Sequence, residues 1–141
     1  MMLRMLPAVA LLLAVAGCGG SGSAGSPGDA VRAYNSAVAD GDGARACGRL
    51  DTAAQDELRN SVQGAIRASC RQVIETLAAF YDDATKKKLR EAKVESRARN
   101  DTATATFTSP VGLPGGHATY QLRRVGSDWK ITSLGIVEGG P

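Results

Sequence analysis

The amino-acid sequence predicts a single α+β domain, helices first and then four antiparallel strands. Three observations carry this. Apolar side chains recur at helical spacing between residues 27 and 81, apolar and polar side chains alternate from Val94 onward, and the dipeptides Asn100-Asp101 and Gly126-Ser127 divide the alternating half into hairpins. Helices followed by strands in this way bury the apolar face of the sheet under the helical layer.

The chain has 141 residues and a formal net charge of +3. With an N-terminal segment removed and a short tether set aside, as argued below, about 110 residues remain, an ordinary size for one core. Arg4 belongs to the removed segment, so the rest is close to neutral and indicates no nucleic-acid partner. The tight basic run Lys86-Lys87-Lys88 reads as a solvated face, with a helper contact to anionic headgroups as the alternative.

The first element is residues 1–17, in which Arg4 precedes an apolar run over 6–16 interrupted by Pro7. That run is shorter than the roughly 20 residues of a membrane-spanning helix and suits the apolar stretch of an export signal. It ends in Val15-Ala16-Gly17-Cys18: an aliphatic residue, two small residues that let the backbone lie in a peptidase groove, and a thiol able to attack a lipid donor as its thiolate. These residues resemble the lipobox of bacterial lipoproteins, with Val15 where leucine is usual. The resemblance implies an exported protein cut before Cys18 and held on the outer side of the cell membrane by lipid on that cysteine, with fatty acyl groups such as palmitate.

Residues 18–28, CGGSGSAGSPG, are then a flexible tether, since ten such residues span roughly 17 Å as a coil. The domain is expected over 29–138. In an oxidising compartment Cys47 and Cys70, the thiols that remain, are expected to pair, and closing the loop between them stabilises the fold by roughly 3 to 4 kcal/mol. Their spacing is not CxxC, and the single histidine, His117, is distant in sequence, so no metal and no cofactor are expected.

Ala30, Val31, Tyr34, Ala37 and Val38 share one helical face over Pro27–Asp40, with Asp29 suited to the first turn and Gly41 to the stop. Asp42 caps a short second helix over 43–50 that carries Cys47. Asp51 or Thr52 caps a third stretch in which Leu58, Val62, Ile66, Cys70, Val73, Leu77 and Tyr81 recur at helical spacing. It is one long helix over the sheet, or two if Gly64 breaks it.

The strands follow. Val94, Ser96 and Ala98 oppose Glu95, Arg97 and Arg99; Asn100-Asp101 turns the chain into TATATFTS. Residues 110–116 are a Pro/Gly loop, residues 118–123 alternate again, and Gly126-Ser127 leads into Trp129-Lys130-Ile131.

Tyr34 and Ala37 in the first helix, the Asp40-Gly41-Asp42 turn, Ala46-Cys47 and the closing Gly126-Ser127-Asp128-Trp129-Lys130-Ile131 hairpin, taken in order, resemble the nuclear transport factor 2-like superfamily. More narrowly they look like its exported lipoproteins from actinobacteria. The resemblance spans roughly residues 28–137. It implies a curved, mostly antiparallel four-stranded sheet wrapped as a cone around a long helix, with an apolar pocket at the open end. Members of the superfamily include ketosteroid isomerases and polyketide cyclases beside many non-enzymatic binding domains, so the fold does not settle the function.

An isomerase or cyclase of this kind needs a pocket carboxylate or histidine as base and a tyrosine as donor. Asp40 or His117 would be the base and Tyr34 or Tyr120 the donor. Asp40 and Asp42, however, sit in a Gly-rich turn where capping accounts for them, and His117 follows two glycines at a strand entrance. Tyr34, Tyr81, Tyr120 and Trp129 lie on core-facing stripes, where they fill the core or line a pocket. No nucleophile elbow and no phosphate-binding glycine pattern is present in the sequence. The expectation is therefore a non-catalytic, lipid-tethered domain that binds a small apolar ligand or an envelope protein. An isomerase-type enzyme is the alternative. A dimerising module using the sheet's open face is the third reading.

Overall fold

The computed structural model describes residues 25–62, 68–110 and 116–136. The expected signal segment, Cys18, the tether as far as residue 24, Gly64, Ile66, residues 111–115 and the end of the chain from Val137 lie outside the described residues. Among those described, five helices precede four strands: α1 (Pro27–Asp40), α2 (Gly43–Cys47), α3 (Thr52–Ser61), α4 (Cys70–Phe80), α5 (Asp83–Glu91), β1 (Val94–Arg99), β2 (Thr102–Thr108), β3 (His117–Val125) and β4 (Asp128–Ser133).

Each helix starts where a short polar side chain accepts a hydrogen bond from a first-turn amide. Ser26, Asp42, Asp51, Ser69 and Asp82 do this for α1 to α5 in turn. Ser69 and Gln72 form a reciprocal capping box at the start of α4. Gly41 ends α1 in the left-handed region at φ 68°, a conformation glycine adopts without a Cβ penalty.

Helix α1 spans Pro27–Asp40, the stretch expected for it, and its first residues Pro27 and Gly28, which also close the expected tether, are buried. Three expectations are corrected. Helix α2 stops at Cys47 rather than at residue 50, because the chain beyond it pairs with the sheet. The Ile131 amide donates to the Arg49 carbonyl at 2.8 Å and the Asp51 amide to the Ile131 carbonyl at 2.9 Å, making a parallel bridge at Leu50. The long apolar stripe is two helices, α3 and α4, the second of the two readings given for it, but α5 follows where the sequence suggested only a change of texture. Finally, the helix that covers the sheet is mainly α1, which packs on β1, β2 and β4 while also touching α2, α4 and α5. Its buried Ala30, Ala37 and Ala39 are small enough to admit neighbours closely on several sides.

The sheet is a fully antiparallel meander in the order β1-β2-β3-β4. Asn100 at φ 55° and Gly126 at φ 64° make the two tight turns, matching the right-handed twist of the strands they join. Ala103, Ala105 and Phe107 of β2, Ala118 and Leu122 of β3, and Trp129 and Ile131 of β4 are buried on the inner face. Thr104, Thr106, Thr119 and Gln121 lie on the outer face, where Thr104 Oγ1 donates to Gln121 Oε1 across the strands. On the edge strand β1 only Val94 is buried, so Ser96 and Ala98 do not enter the core. The β3–β4 register shifts between Gln121 and Leu122, leaving Thr132 as the extra residue of a bulge.

Cys47 and Cys70 are joined in a disulfide with their Cα atoms 6.1 Å apart, tying α2 to the first residue of α4. The two helices touch so closely that a Cβ on Gly43 would stand 2.5 Å from the Arg71 carbonyl oxygen.

Candidate ligand cavity

Between α1 and the rest of the helical layer the core is not filled. A cavity of about 350 Å³ opens there, within the range of small-molecule sites. Helix α1 lends Tyr34, Asn35 and Val38; α3 and the residue after it lend Leu58, Ser61 and Val62; α4 lends Ile74 and Leu77; and α5 lends Leu89. Tyr81 stands between α4 and α5. The sheet supplies Phe107, Ala118 and Tyr120, with Ser109 just beyond β2, and the segment after β4 closes the wall with Leu134 and Ile136.

That last segment is held by one carboxylate. Glu57 on α3 accepts from the Leu134 amide at 3.0 Å and from the Ile136 amide at 2.6 Å. Charge-assisted bonds of this kind are stronger than neutral ones, and they fix two wall residues that belong to no strand. A close approach supports the same turn: a Cβ on Gly135, whose φ is 66°, would meet the Thr119 carbonyl oxygen at 2.6 Å.

The aromatic side of the cavity is ordered edge to face. Tyr120 meets Tyr34 with ring centroids 5.9 Å apart and Phe107 at 5.1 Å, the rings inclined by 76° and 78°. Burial pushes the Tyr34 hydroxyl above the usual phenol range, and Tyr81 and Glu57 add to the shift. Burial does the same to Tyr120, reinforced by Tyr34, Tyr81 and Glu57, and burial alone raises Tyr81. All three phenols are therefore neutral donors near pH 7.

Asn35 is the polar residue that sequence reasoning missed. It is 2 % exposed and lines the cavity, and its amide nitrogen Nδ2 has no hydrogen-bond partner. Leaving a buried donor unmet costs about 1–3 kcal/mol. The signal was present in the sequence: Asn35 stands four residues after Val31 and three before Val38, on the apolar stripe of α1.

Of the residues singled out beforehand, Tyr34, Tyr81 and Tyr120 come together at the cavity. Trp129 does not line it. It is buried at the far end of the sheet, with the Arg124 guanidinium 5.0 Å from its ring centroid. Asp40 lies outside the cavity on an exposed helix end, where its carboxylate accepts from Arg90 at 2.8 Å and Arg45 at 2.7 Å. Those hydrogen bonds, Arg90 first, hold it below the usual carboxylate range. His117 is exposed at the start of β3, paired in register with Thr108. Neither proposed base reaches the cavity, and the isomerase-type reading is left without one from that pair.

No protein family, curated protein or solved structure matches the chain. Among the described residues no helix is long and apolar enough to cross a membrane, and no group of three or more His, Cys, Asp and Glu is arranged to hold a metal. The outer face of the sheet, where a second copy was considered, carries threonine, glutamine and charged side chains rather than an apolar patch.

Proposed function

We propose that this protein is a non-catalytic binding domain of the nuclear transport factor 2-like type, tethered outside the cell membrane by lipid on Cys18, whose cavity receives a small and mainly apolar ligand. The observation that carries the binding reading is the cavity of about 350 Å³, whose described lining is apolar and aromatic apart from Asn35, Ser61, Ser109 and the phenol groups, and includes no ionised side chain. Pockets of this kind bury apolar surface and use a few polar groups to orient the ligand. The anchor rests on Val15-Ala16-Gly17-Cys18 and the Gly/Ser stretch after it. The family assignment rests on the order of elements and motifs: helices, a disulfide-bearing second helix, then an antiparallel meander.

A neutral apolar dye such as Nile red tests the cavity. The full chain is expected to bind the dye with enhanced fluorescence, and Leu77→Trp, which fills the cavity, is expected to reduce binding at least tenfold while leaving the far-ultraviolet circular dichroism unchanged. Equal binding by a folded Leu77→Trp variant overturns the assignment of the site. Intact mass of the membrane-extracted protein tests the anchor: a chain beginning at Cys18 and heavier by two or three acyl groups is expected, and Cys18→Ala removes the increment.

A further inference from the structure

We infer that Asn35 selects the ligand, and that the cavity takes an uncharged molecule carrying one oxygen acceptor, a ketone, ester carbonyl or alcohol, on an otherwise apolar frame. This deepens the binding reading and rests on it. Beside the phenol hydroxyls, Asn35 supplies the wall's fully buried side-chain atom without a partner: it is 2 % exposed, it lines the cavity, and Nδ2 has no partner within the protein. The two serines beside it are already engaged. Ser61 Oγ donates to the Leu58 carbonyl at 2.7 Å, and Ser109 has interactions of its own. Asn35 also sits in the middle of α1, capped at both ends and packed on several elements, so its position is set before any ligand arrives. Rotation of the terminal amide is soft, which lets the N–H group turn toward a ligand oxygen.

The same surroundings disfavour an anion. The described lining offers no cation, and the Glu57 carboxylate on α3 is near enough to add to the upward shift that burial, first of all, imposes on Tyr34 and Tyr120. A ligand carboxylate would lose its water without gaining a counter-charge. At protein packing density the volume accommodates on the order of a dozen non-hydrogen atoms.

The test uses three matched probes, undecane, 2-undecanone and undecanoate, displacing Nile red from the full chain carrying Cys18→Ala. The ketone is expected to bind roughly tenfold more tightly than the alkane, the scale of one net hydrogen bond, and at least tenfold more tightly than the carboxylate. Asn35→Leu is expected to bring the ketone-to-alkane ratio to about one while the alkane keeps its affinity. Should Asn35→Leu not fold, the side-chain amide resonances of Asn35 in the 15N–1H spectrum of the unsubstituted position decide: they are expected to shift with the ketone and not with the alkane. Equal binding of ketone and alkane, unmoved Asn35 resonances, or tightest binding by undecanoate overturns the inference while leaving a binding cavity in place. Failure of the dye and all three probes to bind overturns the binding reading as well.

Discussion

The two ends of this small core are built to opposite rules. At one end, α2, Leu50 and the start of β4 are sealed: the disulfide joins α2 to α4, Gly43 lies against the Arg71 backbone, Leu50 bridges Ile131, and the Lys130 ammonium donates to the Gly48 carbonyl. At the other end the same α1 faces a space of about 350 Å³ and keeps a buried amide without a partner. Protein interiors are normally packed without such voids. A domain that leaves one, and leaves a polar group on its wall, gives up stability there that the sealed end must supply. The lesson is that the disulfide and the cavity are parts of one arrangement: a cross-link at one end permits an imperfectly filled core at the other.

The largest effect is expected from breaking the sealed end. Replacing both Cys47 and Cys70 by alanine removes a cross-link across a sequence separation of 23 residues, and should lower stability by roughly 3 kcal/mol on the chain-entropy account. For a domain of this size that is a fall in Tm on the order of 15 °C, read by thermal denaturation. An unchanged Tm would mean that the hollow end needs no such support.

Gly43→Ala probes the same end without touching a bond. Its Cβ would stand 2.5 Å from the Arg71 carbonyl oxygen, backbone that cannot swing away, so a loss of about 1–3 kcal/mol is expected from overpacking. Urea unfolding measures it, and a midpoint equal to that of the unsubstituted protein would show that α2 and α4 are free to separate.

In the hollow end a substitution should act with the opposite sign. Asn35→Leu replaces an unmatched amide by an apolar group of similar size, and is expected to raise stability by about 1 kcal/mol in the absence of ligand. A loss instead would show that the amide is satisfied in solution, for instance by water. Stability gained together with lost selectivity for the ketone would identify Asn35 as a residue kept for binding.

The smallest and most specific effect is on pH. The folded-state pKa values of Tyr34 and Tyr120 are raised by burial, so their contribution is complete below the unfolded phenol pKa of about 10 and is lost as pH rises above it. Tm is expected to fall as pH is raised above about 10, and Tyr34→Phe should make that fall shallower. A parallel fall in both proteins would place the Tyr34 hydroxyl in contact with solvent.

Much of this architecture was legible in the chain. Helix α1 and its stop at Gly41, the hairpin turns at Asn100-Asp101 and Gly126-Ser127, and the Cys47 to Cys70 pairing follow from local chemistry: a cap, a left-handed turn, a count of thiols. The signs of the missed helix were also local, since Asp82 caps α5 and Ser69-Gln72 form the box that begins α4, but the three lysines drew attention to charge instead of to the cap before them. Trp129 took the core-filling place, one of the two its spacing allowed, and spacing could not choose between them. Periodicity says which face a side chain takes, and both ends of a sheet share a face.

What the sequence determined by itself was therefore the set of elements, their order and the side each one buries, because these depend on neighbours within a few residues. The tertiary structure alone decided that α1, rather than a long third helix, lies on the sheet, that Leu50 ends α2 by pairing with Ile131, and that Tyr34, Tyr81, Tyr120 and Asn35 line one cavity. A void exists only where several elements fail to meet. That is a property of their separation in space, and no stretch of sequence carries it.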